Sequence, residues 1–147
     1  MAFYDYIKIS TVIDLSSIDK VDALKELAQI LCKIENIKKV KPVIDDMLKR
    51  EESASTFIGQ GVAIPYTSAP VPDDFSLVIG RSVNGINYDA ARGAQAHIIV
   101  LVMSSKNPED SSHIQIRQEI SSFFKSESIQ ERILSMERRE NRRSRAG

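Results

Sequence analysis

A chain of 147 residues with 42% hydrophobic content suffices for one domain around a single buried core and leaves little room for a second. Twenty basic and twenty acidic residues cancel, so bulk charge argues against a nucleic-acid binder or a membrane-surface protein. The lone cysteine, Cys32, excludes an internal disulfide and fits a reducing compartment.

The N-terminus, Met1-Ala2-Phe3-Tyr4-Asp5-Tyr6, lacks a basic region followed by an apolar core and does not read as a signal peptide. Val21, Leu24, Leu27, Ala28 and Leu31 recur at spacings of three and four, which predicts an amphipathic helix from about Asp19 to Ile34 with Cys32 as a small buried hydrophobe. A shorter helix follows. Pro42 suits its first turn, and Val43, Ile44, Met47 and Leu48 form a stripe that ends beside Lys49-Arg50, placing Arg50 at the helix end.

The next run is Ser55-Thr56-Phe57-Ile58-Gly59-Gln60-Gly61-Val62-Ala63-Ile64-Pro65-Tyr66, expected as a loop that presents residue 66 rigidly. Gly59 and Gly61 give positive-φ freedom and close backbone approach, and Pro65 fixes the chain just before the aromatic hydroxyl of Tyr66.

From Phe75 to Val83 the residues alternate as a strand, and Asn84-Gly85 signals a turn into Ile86-Asn87-Tyr88, so a hairpin or near-hairpin is expected there. The apolar run Ile98 to Met103 reads as a central strand buried on both faces and is too short to span a membrane. Ser112 with Gln115 suggests a capping box, followed by a helix with Ile116, Ile120, Phe123 and Phe124 on its apolar face. Ser128 with Glu131 repeats that device, predicting a last helix from about Ile129 into the arginine-rich tail, packed through Ile133, Leu134 and Met136. The domain therefore takes residues 1–137, and 138–147 form a basic tail with Arg138, Arg139, Arg142, Arg143 and Arg145 against Glu140. That tail reads either as a solvated helix end or as a contact for an acidic partner. Helices before, between and after strands that include a hairpin argue for an α/β domain: a mixed sheet flanked by helices on both faces.

The segment from Arg50 to Tyr66 resembles the signature of the mannitol/fructose-type enzyme IIA domains of the bacterial sugar phosphotransferase system. Arg50-Glu51, Ser55-Thr56, Gly59, Gly61 and Ala63-Ile64-Pro65 carry the match, and the likeness runs from about Tyr4 to Met136. Ser112-His113-Ile114 falls where that family places a second histidine. The resemblance implies a soluble, cytoplasmic mixed-sheet domain of the sugar-uptake or nitrogen-regulatory type, which meets an HPr-type phosphocarrier or a regulatory target protein. It also implies that Tyr66 stands at the phosphoryl-acceptor position, where the family has histidine. Arg50 and His113 then correspond to residues that hold the phosphoryl group.

The substitution bears directly on the chemistry. A relay needs a nucleophile that is neutral at working pH and a cationic cradle for the charge in transit. Imidazole, with an ordinary pKa of about 6.5, offers a free nitrogen near neutrality and a phosphoramidate reactive enough to pass on. A free phenol, with a pKa of about 10, is a poor nucleophile at pH 7, and its phosphate ester is a poor donor. Three functions follow: a regulatory enzyme IIA-like protein with lost or impaired transfer, a working phosphocarrier using His113 or Tyr66, or an adaptor binding an acidic partner or nucleic acid through the arginine-rich tail.

The residues themselves allow other roles. His113 could be a helix-start histidine bonded to a loop carbonyl or an anion ligand beside backbone N–H groups, and Arg50 could be a solvated dipole partner or a guanidinium clamp. His97, before an apolar strand, reads as structural. Two histidines and one cysteine do not compose a zinc site, and no nucleotide-binding fingerprint is present, so neither metal nor cofactor is expected.

Overall fold

The computed structural model describes residues 12–71, 75–89, 93–105 and 110–136. In chain order the elements are β1 (Val12–Asp14), α1 (Lys20–Ile34), α2 (Val40–Ser53), β2 (Phe57–Gly59), β3 (Val62–Ala63), β4 (Tyr66–Ser68), β5 (Phe75–Asp89), β6 (Ala94–Ser104), α3 (Ser111–Phe124) and α4 (Glu127–Ser135). The basic tail, and with it the expected boundary at residue 137, lies outside the described residues.

β6 organises the sheet. It pairs antiparallel with β5 and parallel with both β3 and β4, while β1 lies parallel to β5 and β2 antiparallel to β3. Its side chains alternate between two cores. Ile99, Leu101 and Met103 join Leu24, Leu27, Leu31, Val43 and Met47 from α1 and α2, whereas Ile98, Val100 and Val102 join Ile120, Phe124 and Ile133 from α3 and α4. Burial on both faces is why this strand is an unbroken apolar run rather than an alternating one. The fold is thus α/β, a mixed sheet with helices on both faces.

α1 follows its sequence pattern except at Val21, which the stripe included and which is exposed. Asp19 caps it, with Oδ1 accepting from the Asp22 N–H at 2.9 Å, and Leu24, Leu27, Ala28, Leu31 and Cys32 are fully buried. Burial pushes the Cys32 thiol pKa up, as expected of an inert core sulfur.

Three expectations are corrected. Asn84-Gly85 does not reverse the chain. β5 continues through it as one 15-residue strand, with the register against β6 shifting between Arg81 and Ile86. Gly85 at φ +86 makes the bulge, its N–H is held by Ser82 Oγ at 3.2 Å, and Ile86 re-enters the core with no exposure. The pairing gained by resuming against Ala96 outweighs a tight turn. α3 begins two residues earlier than a Ser112 capping box requires, with Asp110 at the N-cap and no side-chain cap bond. α4 likewise starts at Glu127, with Ser126 Oγ accepting from Ile129 N–H at 3.5 Å, and it ends at Ser135 because Met136 is extended, short of the arginines.

A buried ion pair locks α4 against the sheet edge. Arg81, 4% exposed, donates from Nε to Asp14 Oδ1 at 2.7 Å and from Nη1 to the Ile133 carbonyl at 2.6 Å. Removing one partner of a buried pair strands the other charge. Asp14→Ala should therefore lower the unfolding free energy by about 3 kcal/mol, read as a lower urea midpoint at an unchanged m-value.

Candidate functional site

The run from Ser55 to Tyr66, expected as a loop, folds as the tight β2–β3 hairpin leading into β4. Gly59, Gln60 and Gly61 all have positive φ (98°, 55° and 79°). A Cβ at Gly61 would lie 3.3 Å from the His97 ring, so that glycine serves close packing as well as backbone conformation. The Gly61 carbonyl accepts from His97 and Ile98 N–H, Ile64 N–H donates to the Thr56 carbonyl, and the Pro65 carbonyl accepts from Val102 N–H. His97 is held in turn by Nδ1 against the Ser82 carbonyl at 3.0 Å, which gives it a structural setting. With both sides of Pro65 tied to β6, the backbone at Tyr66 has little freedom.

Glu51 anchors the start of this segment. It is 6% exposed and accepts from the Thr56 N–H (2.8 Å), the Thr56 hydroxyl (2.6 Å) and the Tyr88 hydroxyl (2.8 Å). Lys20 Nζ sits 3.1 Å from its Oε2 and 4.3 Å from the Tyr88 ring centroid. Burial, with the Glu51 charge next in importance, raises the Tyr88 phenol far above its usual range.

One residue before Glu51, in the last turn of α2, Arg50 donates from Nε to Asp46 Oδ2 at 2.9 Å. Asp46 also accepts from the Thr67 hydroxyl (2.8 Å) and the Ser68 N–H (3.2 Å), so it joins α2 to β4 directly after Tyr66. Burial opposes ionisation of Asp46, but these donors prevail and hold its pKa below the ordinary value.

The structure brings Arg50, Tyr66 and His113 together. The Tyr66 ring lies 6.0 Å from the His113 ring and 5.3 Å from the Arg50 guanidinium carbon. His113 occupies the third position of α3, as the sequence suggests. It is 3% exposed, and neither ring nitrogen has a hydrogen-bond partner among the described residues. Burial first, then the positive charges of Arg117 and Arg50, push its pKa down to about 4, against a smaller opposing effect of Asp110.

Sequence reasoning missed Arg117. Its guanidinium carbon stacks 3.9 Å from the Tyr66 ring centroid, closer than that of Arg50, and its buried Nε has no partner among the described residues. The available signal was its spacing, one helical turn after His113. A cleft of about 250 Å³ opens beside the ring, lined by Ser55, Ile58, Ile64, Tyr66, Arg117 and Ser121 with Ala54 and Thr56. Chemically the arrangement is a rigid aromatic hydroxyl bracketed by two cations and a neutral imidazole, suited to receiving an anion. Among the described residues, no three His, Cys, Asp or Glu side chains converge as a metal site, and no helix is long and apolar enough to cross a membrane.

The sequence model of the family described as "Phosphoenolpyruvate-dependent sugar phosphotransferase system, EIIA 2" matches residues 7–142. The chain is 26% identical over 141 residues to the PTS system fructose-specific EIIA component of Haloferax volcanii, covering 90% of each. It is 24% identical over 125 residues to the PTS system fructose-specific EIIABC component of Bacillus subtilis, where 85% of this chain spans 20% of that protein's length. Among solved structures, the nitrogen regulatory protein IIA-Ntr from Neisseria meningitidis superposes with a TM-score of 0.77 at 22% identity, covering 95% of each chain. The Escherichia coli complex of enzyme IIAMTL and phosphorylated enzyme IIBMTL matches at a TM-score of 0.69 and 18% identity, with 86% of this chain and 87% of that one covered. Both likenesses show a shared fold.

Two predictions follow from this geometry. Glu51→Ala should cost about 2 kcal/mol of stability by leaving the Thr56 and Tyr88 donors unpaired, whereas Glu51→Gln, which can still accept, should cost less; thermal unfolding measures both. His113 should titrate near pH 4 in NMR rather than near 6.5, and Arg117→Ala should raise that value. Because the folded pKa is depressed, the unfolded chain binds more protons between pH 4 and 6.5. Stability should be fully present above 6.5 and fall with pH across that window, at a slope approaching about 1.4 kcal/mol per unit.

Proposed function

Because this chain belongs to the EIIA 2 family of the phosphoenolpyruvate-dependent sugar phosphotransferase system, we propose that it acts as a regulatory enzyme IIA-like protein whose phosphoryl transfer is lost or impaired by Tyr66 at the acceptor position. One observation carries this reading: a tyrosine ring lies within 5.3 Å of the Arg50 and 3.9 Å of the Arg117 guanidinium carbon and beside His113. The cationic surroundings suit phosphoryl chemistry, but the side chain at their centre is a phenol, and an ester formed there would end the relay rather than extend it. The domain would then signal by docking, in the cytoplasm, with an HPr-type phosphocarrier or a regulatory target protein.

A second reading makes His113 the acceptor. Its neutral imidazole, with both nitrogens unpaired among the described residues, favours this. Its 3% exposure opposes it, since an incoming carrier must bring its phosphoryl group within bonding distance of the ring.

Incubation with a phosphorylated HPr-type carrier, followed by intact mass and acid-lability measurement, separates the readings. Wild type should gain no phosphoryl mass, while Tyr66→His should gain one acid-labile group. Acid-labile labelling of wild type that disappears in His113→Ala would establish the second reading in place of the first, and acid-stable labelling at residue 66 would make Tyr66 a terminal acceptor.

A further inference from the structure

The cleft beside Tyr66 has features that a silenced acceptor does not require. Arg50 already has an anionic partner in Asp46, but Arg117 has no carboxylate partner among the described residues, and its guanidinium carbon lies 3.9 Å from the centroid of the Tyr66 ring. A stacked guanidinium keeps its N–H edge for a ligand in the ring plane's surroundings, and the flat contact limits the rotamer entropy lost on binding. Two hydroxyl-bearing residues line the same cleft. Ser55 Oγ accepts from the Phe57 N–H at 3.3 Å and so keeps its own proton to donate, and Ser121 lies one helical turn beyond Arg117 on the same wall of the cleft. The remaining surface is apolar, from Ile58 and Ile64.

From this geometry we infer that the cleft binds a small phosphate monoester, with the phosphate on Arg117, Ser55 and Ser121 and the short carbon body against Ile58 and Ile64. The donors favour a phosphate over a carboxylate, because a guanidinium edge plus two hydroxyls offers more bonds than two carboxylate oxygens lying in one plane can take with good geometry. A volume of about 250 Å³ falls below the range of about 300–1,000 Å³ common for drug-sized ligands, which points to a small ligand. Binding is reversible and makes no bond to the protein. It places a ligand beside Tyr66, so a metabolite would alter the surface that a partner protein meets. This role goes beyond silencing of residue 66 and does not depend on whether any covalent transfer occurs.

Glycerol phosphate, inorganic phosphate and glycerol serve as probes, titrated at constant ionic strength while amide resonances of the full chain are followed by NMR. Glycerol phosphate should give saturable shifts at Ser55, Ile58, Arg117 and Ser121, inorganic phosphate weaker shifts at the same places, and glycerol none. Arg117→Ala should weaken glycerol phosphate binding about tenfold or more. Ser121→Leu, which fills the cleft and leaves every charge in place, should likewise weaken it, with unchanged spectra elsewhere showing that both variants remain folded. The inference is overturned if glycerol and glycerol phosphate shift the same residues alike, if Arg117→Ala binds as wild type does, or if neither small phosphate binds while a phosphorylated carrier protein does. Intact mass taken on the same samples reports covalent phosphorylation separately, so loss of the silenced-acceptor reading and loss of this one are distinguishable.

Discussion

The carboxylate of Glu51 is the constraint on which the geometry around Tyr66 rests. A buried acid is costly unless its acceptor capacity is filled, and here it is filled from three directions: the Thr56 backbone and hydroxyl, the Tyr88 hydroxyl on β5, and the Lys20 ammonium on α1. Each partner belongs to a different element. The same group therefore ends α2, starts the β2–β3 hairpin and ties both to the sheet. Because Arg50 is the preceding residue, its direction is set by this anchor as well as by Asp46. Asp46 repeats the arrangement one turn earlier, binding Thr67 and Ser68 just beyond Tyr66. Two carboxylates on successive turns of one helix hold the two ends of the segment that presents the tyrosine.

How much of this could be read in the sequence depended on whether the deciding forces were local. α1 was legible because its buried stripe is a property of adjacent turns, and β6 was legible because burial on both faces demands continuous apolarity. The bulge at Gly85 was not. Asn-Gly favours a tight reversal when nothing else competes, but here Ile86 and Tyr88 have core positions to fill on the far side of the glycine, and pairing with β6 resumes to reach them. The short strands β1, β2, β3 and β4, of two or three residues each, carry no periodicity to read. They are strands because β5 and β6 supply partners.

The site shows the same division. Arg50, Tyr66 and His113 were found because a resemblance to a family motif marked their places, and the structure does bring those three side chains to one locality. Arg117 had no such mark. It is one more arginine on an amphipathic helix until α3 is laid against the sheet, and then the turn that buries His113 also sets a guanidinium on the Tyr66 ring. Likewise Glu51 could be read as part of a motif but not as a buried hub, because Lys20 and Tyr88 are far from it in sequence.

Tyr66 and Arg117 are best regarded as one feature rather than two. Quadrupolar attraction draws a guanidinium to the face of a phenol ring, and the broad ring offers it a platform 3.9 Å away. An imidazole at residue 66 would present a smaller face and, once protonated, a like charge. His113 already illustrates the consequence, since the same two arginines help to drive its pKa down to about 4. Two cations this close are tolerable around a ring that attracts them and unfavourable around one that competes for a proton. The tyrosine and the second arginine therefore stabilise each other's presence. A histidine substitution confined to residue 66 introduces an imidazole nitrogen, but it also removes the phenol ring over which Arg117 lies. The cleft and residue 66 are consequently coupled through a single aromatic ring.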